Sequence, residues 1–92
     1  MPVLSEPEIQ QALTHLAQWR LEKGEFVRDF SFVDFREAMS FVNSVAALAE
    51  RAGHHPDIDI RYNKVKLKLS SHDAGGISER DVKLAAEIGD LL

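Results

Sequence analysis

The sequence has no cysteine. That excludes a disulfide framework and any thiolate metal site, and it fits a reducing cytoplasm. Long apolar runs are missing too: none approaches the ~20 residues a membrane-crossing helix needs. Met1-Pro2-Val3-Leu4-Ser5-Glu6 lacks the basic region and apolar stretch of a secretory signal. A cytoplasmic protein with no membrane partner is therefore expected. Positive charge is in deficit, with 11 Lys and Arg against 15 Asp and Glu and a net charge of −4. A nucleic-acid backbone is accordingly not the expected partner. Internal repeats, linkers and low-complexity segments are absent. What remains is 92 residues of ordinary globular composition, 45% hydrophobic and 28% charged. They are read as a single domain spanning residues 1–92. A chain this short hides only roughly 60–65% of the surface it exposes when unfolded, so pairing with another copy would add stability.

Helix and strand signals alternate along the chain. Ser5 and Glu8 form a capping-box pattern around Pro7, with Leu4 and Ile9 at the staple positions. Ile9, Leu13 and Leu16 continue as a one-sided stripe, and His15 lies off it, on the expected surface. Trp19 and Leu21 alternate with charged residues as a short strand, and Lys23-Gly24 signals a turn. Phe26, Phe30 and Phe32 share the parity of a half-buried strand, read as core rather than as a ligand platform. Asp34 and Glu37 repeat the capping-box pattern before a long apolar helix that Gly53 ends and Pro56 keeps from resuming. Phe41, Leu48 and Ala52 widen its apolar arc enough to face two layers, here the sheet and a partner subunit. Ile58, Ile60 and Tyr62, then Val65, Leu67 and Leu69, alternate as a second hairpin turning near Asn63. The row Lys64, Lys66 and Lys68 reads as a solvated face. Ser78 and Asp81 cap a last helix. The order is α-β-β-α-β-β-α, and the expected fold is α+β: a four-stranded antiparallel sheet with helices packed on one face.

The histidines gather where these elements end. His54 and His55 follow Gly53 directly, and His72 lies in the polar loop after the fourth strand. Residues equidistant from the turn pair across a hairpin. His54 and His72 are equidistant from Asn63, so they are expected to meet at its open end. Three uses are compatible with such a cluster. Three imidazoles with Glu50 or Asp73 could hold zinc at an open position, although adjacent rings do not easily aim at one ion. Histidines could cap a helix end or fill a loop. Or they could move protons near neutral pH without a metal.

The spacing Glu50…His54-His55-Pro56…Tyr62…His72…Asp81 resembles the signature of the pterin-4a-carbinolamine dehydratases. Tyr62-Asn63-Lys64-Val65, Leu69-Ser70-Ser71-His72 and Gly76-Ile77-Ser78-Glu79-Arg80-Asp81 look like blocks of the same family. The similarity runs from about Trp19 to the end of the chain, and the pattern departs from the family's at Gly53, Ile58 and Ala74. The resemblance implies the sheet-and-helix fold already read. It also implies loss of water from a 4a-hydroxytetrahydropterin to give quinonoid dihydropterin. His54, His55 and His72 would be catalytic, with His54 and His72 as the acid–base pair. Glu50, Ser70 and Ser71 would contact substrate, and Asp81 would cap a helix. No metal and no cofactor beyond the pterin substrate are expected. The family further implies a homodimer or homotetramer, with phenylalanine hydroxylase as a functional partner. In animals it also serves as a dimerisation cofactor of a homeodomain transcription factor, so a dimerising binding module without catalysis stands as the rival reading.

Overall fold

The computed structural model describes residues 2–92. Its elements run α1 (Glu6–His15), β1 (Arg20–Glu22), β2 (Glu25–Ser31), α2 (Phe35–Ala52), β3 (Asp57–Arg61), β4 (Lys64–Leu69) and α3 (Glu79–Gly89). The four strands form one antiparallel sheet in the order β1-β2-β4-β3. Each hairpin thus keeps its own pairing, and β2 joins β4 at the centre. The expected fold class and element order hold.

Local chemistry explains where the elements begin. At α1, Ser5 and Glu8 form the full reciprocal box: the Ser5 amide donates to Glu8 Oε1 at 2.8 Å, and the Glu8 amide to Ser5 Oγ at 3.3 Å. At α2 only half of it forms. Asp34 accepts from the Glu37 amide at 2.8 Å, whereas the Glu37 carboxylate takes the Val33 amide, one residue earlier than a box requires. Lys23 and Gly24 both have positive φ, 52° and 78°, the pattern of a type I′ hairpin turn.

The core lies between one sheet face and the helices. Phe26 and Phe30 of β2 and Val65, Leu67 and Leu69 of β4 meet Ile9, Phe41, Val45, Leu84 and Ile88. Phe30 and Phe32 both pack against Phe41, with centroids 4.6 and 5.0 Å away, so these rings are core and not a ligand platform. Part of the wide arc of α2 stays uncovered: Leu48 is half-buried and Ala52 exposed, and both line a cleft between α2 and α3.

The other face carries Lys64, Lys66 and Lys68, as the alternation predicts. Lys66 stands opposite Asp59 and Lys68 opposite Asp57 in the ladder. Val27 departs from the pattern. It lies on this polar face yet is only 1% exposed. Its neighbours in register are Arg20 and Lys68, whose aliphatic stems can cover it while their charges stay in water.

The second hairpin corrects the expected register. Arg61 pairs with Lys64 and Ile58 with Leu67, so the loop is the two residues Tyr62-Asn63, with Tyr62 at φ 54°. Its midpoint falls between them, not on Asn63. The ladder ends at Asp57 opposite Lys68 and so reaches neither His54 nor His72, and its register is one residue off the one that would set them opposite each other. Because side chains alternate between faces, a shift of one residue changes which groups can share a face.

Candidate active site

α2 ends on Gly53, in the left-handed region at φ 64°, and the Gly53 amide reaches back to Glu50 O at 3.3 Å. The chain then leaves the helix with two imidazoles aimed differently. His54 turns inward and is 8% exposed. Its Nε2 lies 2.6 Å from Oδ1 of Asp81, across the fold on the first turn of α3. Asp81 has no exposed surface. Its Oδ2 accepts the Ser71 hydroxyl at 2.8 Å and the Ser78 amide at 2.9 Å. The Ser78 hydroxyl lies 2.7 Å from that of Ser71. Since Ser71 gives its proton to Asp81, Ser78 donates to Ser71.

Oδ2 thus takes two donors, and Oδ1 faces the His54 ring, where a proton on Nε2 would give every Asp81 contact a donor. Nδ1 is left as the ring position that can take up or release a proton. A buried carboxylate bound to one imidazole nitrogen fixes both tautomer and orientation, which is what an acid–base histidine requires. The expectation that Asp81 caps α3 holds through the Ser78 amide. Its contact with His54 is not legible in the sequence. Those residues stand far apart in the chain, and no local spacing joins them.

His55 turns outward. Its Nε2 lies 2.6 Å from Glu50 Oε2, with side-chain exposures of 61% and 77%. His72 sits on an exposed turn closed by a bridge between Ser71 and Gly76. Its Nε2 is 3.5 Å from the Ser70 hydroxyl, a marginal contact. The turn is tied to α3 where Arg80 Nη2 donates to Asp73 Oδ1 at 2.6 Å, and this guanidinium holds the Asp73 carboxyl below its usual range. The residues proposed from sequence thus fall into separate groups. His54 and Ser71 join Asp81 on the helix side. His55 pairs with Glu50, and His72 with Ser70, at the surface. Among the described residues no three His, Asp or Glu side chains form a ligand cluster.

A cleft of about 530 Å³ opens between α2 and α3 and is lined by His54 but by neither His55 nor His72. Its size is within the range of small-molecule sites.

Comparison with known proteins identifies the family. The family described as pterin 4 alpha carbinolamine dehydratase matches residues 2–91. The chain belongs to that family. It is 54% identical to a protein of Chloroflexus aurantiacus named for pterin-4-alpha-carbinolamine dehydratase, over 100% of this chain and 99% of that one. A protein of the same name from Acidobacterium capsulatum is also 54% identical, over 100% of both chains. Among solved structures, a transcriptional coactivator/pterin dehydratase from Brucella melitensis matches with a TM-score of 0.93 and 33% identity, over 97% of each chain. A pterin dehydratase-like protein identified as a RuBisCO assembly factor in the alpha-carboxysome matches at 0.68 and 27% identity, over 80% of this chain and 88% of that one. The resemblance seen from Trp19 onward extends through α1 as well.

Proposed function

We propose that this chain dehydrates a 4a-hydroxytetrahydropterin to quinonoid dihydropterin by histidine acid–base catalysis. The observation that carries the reading is the buried His54–Asp81 pair at the edge of a cleft. In this reaction the C4a–O bond breaks and the hydroxyl leaves as water after taking a proton. A ring N–H loses its proton as the C=N bond forms. One proton is delivered and one removed, with no change in oxidation state, so proton-transfer groups suffice. His54, with its tautomer fixed by Asp81, is one of them. We take His72 as the other, with His55, polarised by Glu50, as the second candidate; both stand at the surface outside the cleft that His54 lines. Glu50 and Ser70 supply polar contacts to the pterin, while Ser71, expected among them, is buried against Asp81 and acts through that carboxylate. No cofactor beyond the pterin is required, and a tetrahydropterin-dependent hydroxylase such as phenylalanine hydroxylase would supply the substrate.

The deciding experiment adds the purified protein to freshly generated 4a-hydroxytetrahydropterin, with and without a chelator. Activity that survives chelation and falls by about a hundredfold or more in His54→Ala supports the reading. No acceleration, or an unchanged rate in His54→Ala, refutes it.

Self-association belongs to the same proposal. β3 is an edge strand whose Ile58 and Ile60 are 37% and 36% exposed. A second β3 docked antiparallel about Ile60 would set Asp59 against Arg61 twice and Ile58 against Tyr62. This pairing brings no like charges together, so the edge suits a second copy of the chain. The rival reading, a protein-binding module, draws on the Brucella protein being described as a transcriptional coactivator. Absent dehydratase activity joined to capture of a partner through this edge would favour it.

A further inference from the structure

The cleft beside His54 is more basic than the chain as a whole. Arg51, Arg80 and Lys83 line it, against Glu79 and Glu87. The protein carries a net −4, so three cations around one cleft run against its average. Neither Arg51 nor Lys83 takes part in an ion pair among the described residues, although both Glu side chains share the cleft. Arg80 spends one nitrogen on Asp73, yet its Nε is buried and has no acceptor. Ion pairs engage two of the other four arginines: Arg20 meets Glu22 and Asp29, and Arg61 meets Asp59. Donors left without acceptors around a cleft call for an acceptor from outside.

From this we infer that the α2–α3 cleft is an anion subsite, and that it takes a phosphate monoester on the side chain of the pterin. The inference rests on the dehydratase reading, because His54 is what links the cleft to the reacting ring. A pterin bicycle is neutral and planar and gains little from three cations. A phosphate carries nearly two negative charges and three acceptor oxygens, which suits guanidinium and ammonium groups that point into one space. Arg51 presents its fork from the last turn of α2. Lys83 faces it from α3, one turn beyond Glu79. The substrate class is therefore a 4a-hydroxytetrahydropterin with a phosphorylated C6 side chain, and Arg51 and Lys83 set that preference.

Calorimetric titration tests it with stable ligands: two 7,8-dihydropterins that differ only by a phosphate monoester on the C6 side chain, and inorganic phosphate alone. The phosphorylated pterin should bind about tenfold more tightly at low salt, the scale of one charge-assisted hydrogen bond. The ratio of the two Kd values should fall toward one in Arg51→Gln/Lys83→Gln, and also as salt is raised. Both substitutions are at exposed positions, so the variant should fold; its thermal melt checks this. A ratio near one in the unaltered protein overturns the inference. So does phosphate binding that tightens the neutral pterin to match its phosphorylated counterpart, since the anion would then be a separate ligand. Turnover of the neutral carbinolamine separates the two claims. Dehydration with a Kd ratio of one removes the subsite alone. A tenfold ratio without dehydration removes the reaction and leaves the subsite.

Discussion

His54 Nε2 and Asp81 Oδ1 lie 2.6 Å apart, between a side chain that is 10% exposed and one with no exposure at all. The contact ties the end of α2 to the start of α3, so one carboxylate serves both the fold and the proposed chemistry. Asp81→Asn separates the two. The amide keeps the shape, but only its oxygen can accept, while His54, Ser71 and the Ser78 amide all donate. At least one donor is left facing an NH₂ group, or His54 changes tautomer to accept from it. A stability loss of about 1–3 kcal/mol is expected for the unsatisfied buried group. The fall in kcat should exceed what that instability explains, by about a hundredfold or more, because the ring's working nitrogen changes role. In a double-mutant cycle with His54→Ala, the second substitution should add little. Additive losses in kcat would show that Asp81 does not act through His54.

Glu50→Gln probes the exposed counterpart. The Glu50–His55 pair has the same 2.6 Å separation, but both groups face solvent. Such pairs contribute under about 1 kcal/mol, so the melting temperature should barely move. If Glu50 holds the pterin or polarises His55, the effect will appear in KM or kcat instead. Unaltered kinetics with an unaltered melt would remove both residues from the site.

Acid should weaken the fold through three surface carboxyls. A hydrogen bond from Arg80 lowers the pKa of Asp73, the Ser5 amide and hydroxyl lower that of Glu8, and a hydrogen bond from Arg20 lowers that of Glu22. A group depressed in the folded state stabilises it above the unfolded pKa, and that contribution is lost as pH falls through the folded value. The ordinary values are 3.8 for Asp73 and 4.5 for both glutamates, so loss begins near and below them. The variant Glu8→Gln/Glu22→Gln/Asp73→Asn should melt lower than the parent at neutral pH, and the two curves should converge as pH drops below about 3. A gap that stays constant across this range would sink the argument.

Helix caps, strand parity and core aromatics could be read from sequence because each is a short-range pattern. The hairpin register could not be fixed to one residue. A turn near Asn63 is compatible with loops centred on it or beside it, and Tyr62 takes a positive φ that its residue type does not advertise. That single step removes the pairing of His54 with His72 expected from a turn centred on Asn63. The wide α2 arc has a related limit: an amphipathic pattern shows that a face is apolar, not what covers it. The pairing of His54 with Asp81 depends on how α2 and α3 sit together, which no local spacing encodes.

Gly53 sets the direction in which both imidazoles leave α2. A Cβ there would meet nothing within 4 Å, so the objection to a side chain is the backbone angle alone. Gly53→Ala should therefore cost about 1–2 kcal/mol, and Gly53→Asn clearly less, because asparagine tolerates the left-handed region. Denaturant melts would show this order. An equal loss in both variants would mean that something other than φ is being read.

Ile60→Lys tests self-association through β3. Ile60 would lie against its own copy about the two-fold axis, so one substitution brings two ammonium groups together at the centre of the joint. Like charges directly opposite are destabilising in a ladder, and lysine on an edge is a natural guard against pairing. The residue is 36% exposed and sits on the outermost strand, so the isolated chain should tolerate lysine far better than the joint does. Sedimentation should give an oligomer for the parent and a monomer for the variant, with the helix and strand signals kept. An oligomer that survives the substitution would place the joint elsewhere. Ile58→Lys gives a second reading of the same edge, because Ile58 would face Tyr62 of the copy rather than itself. It should weaken association less than Ile60→Lys, and the reverse order would argue against a pairing centred on Ile60.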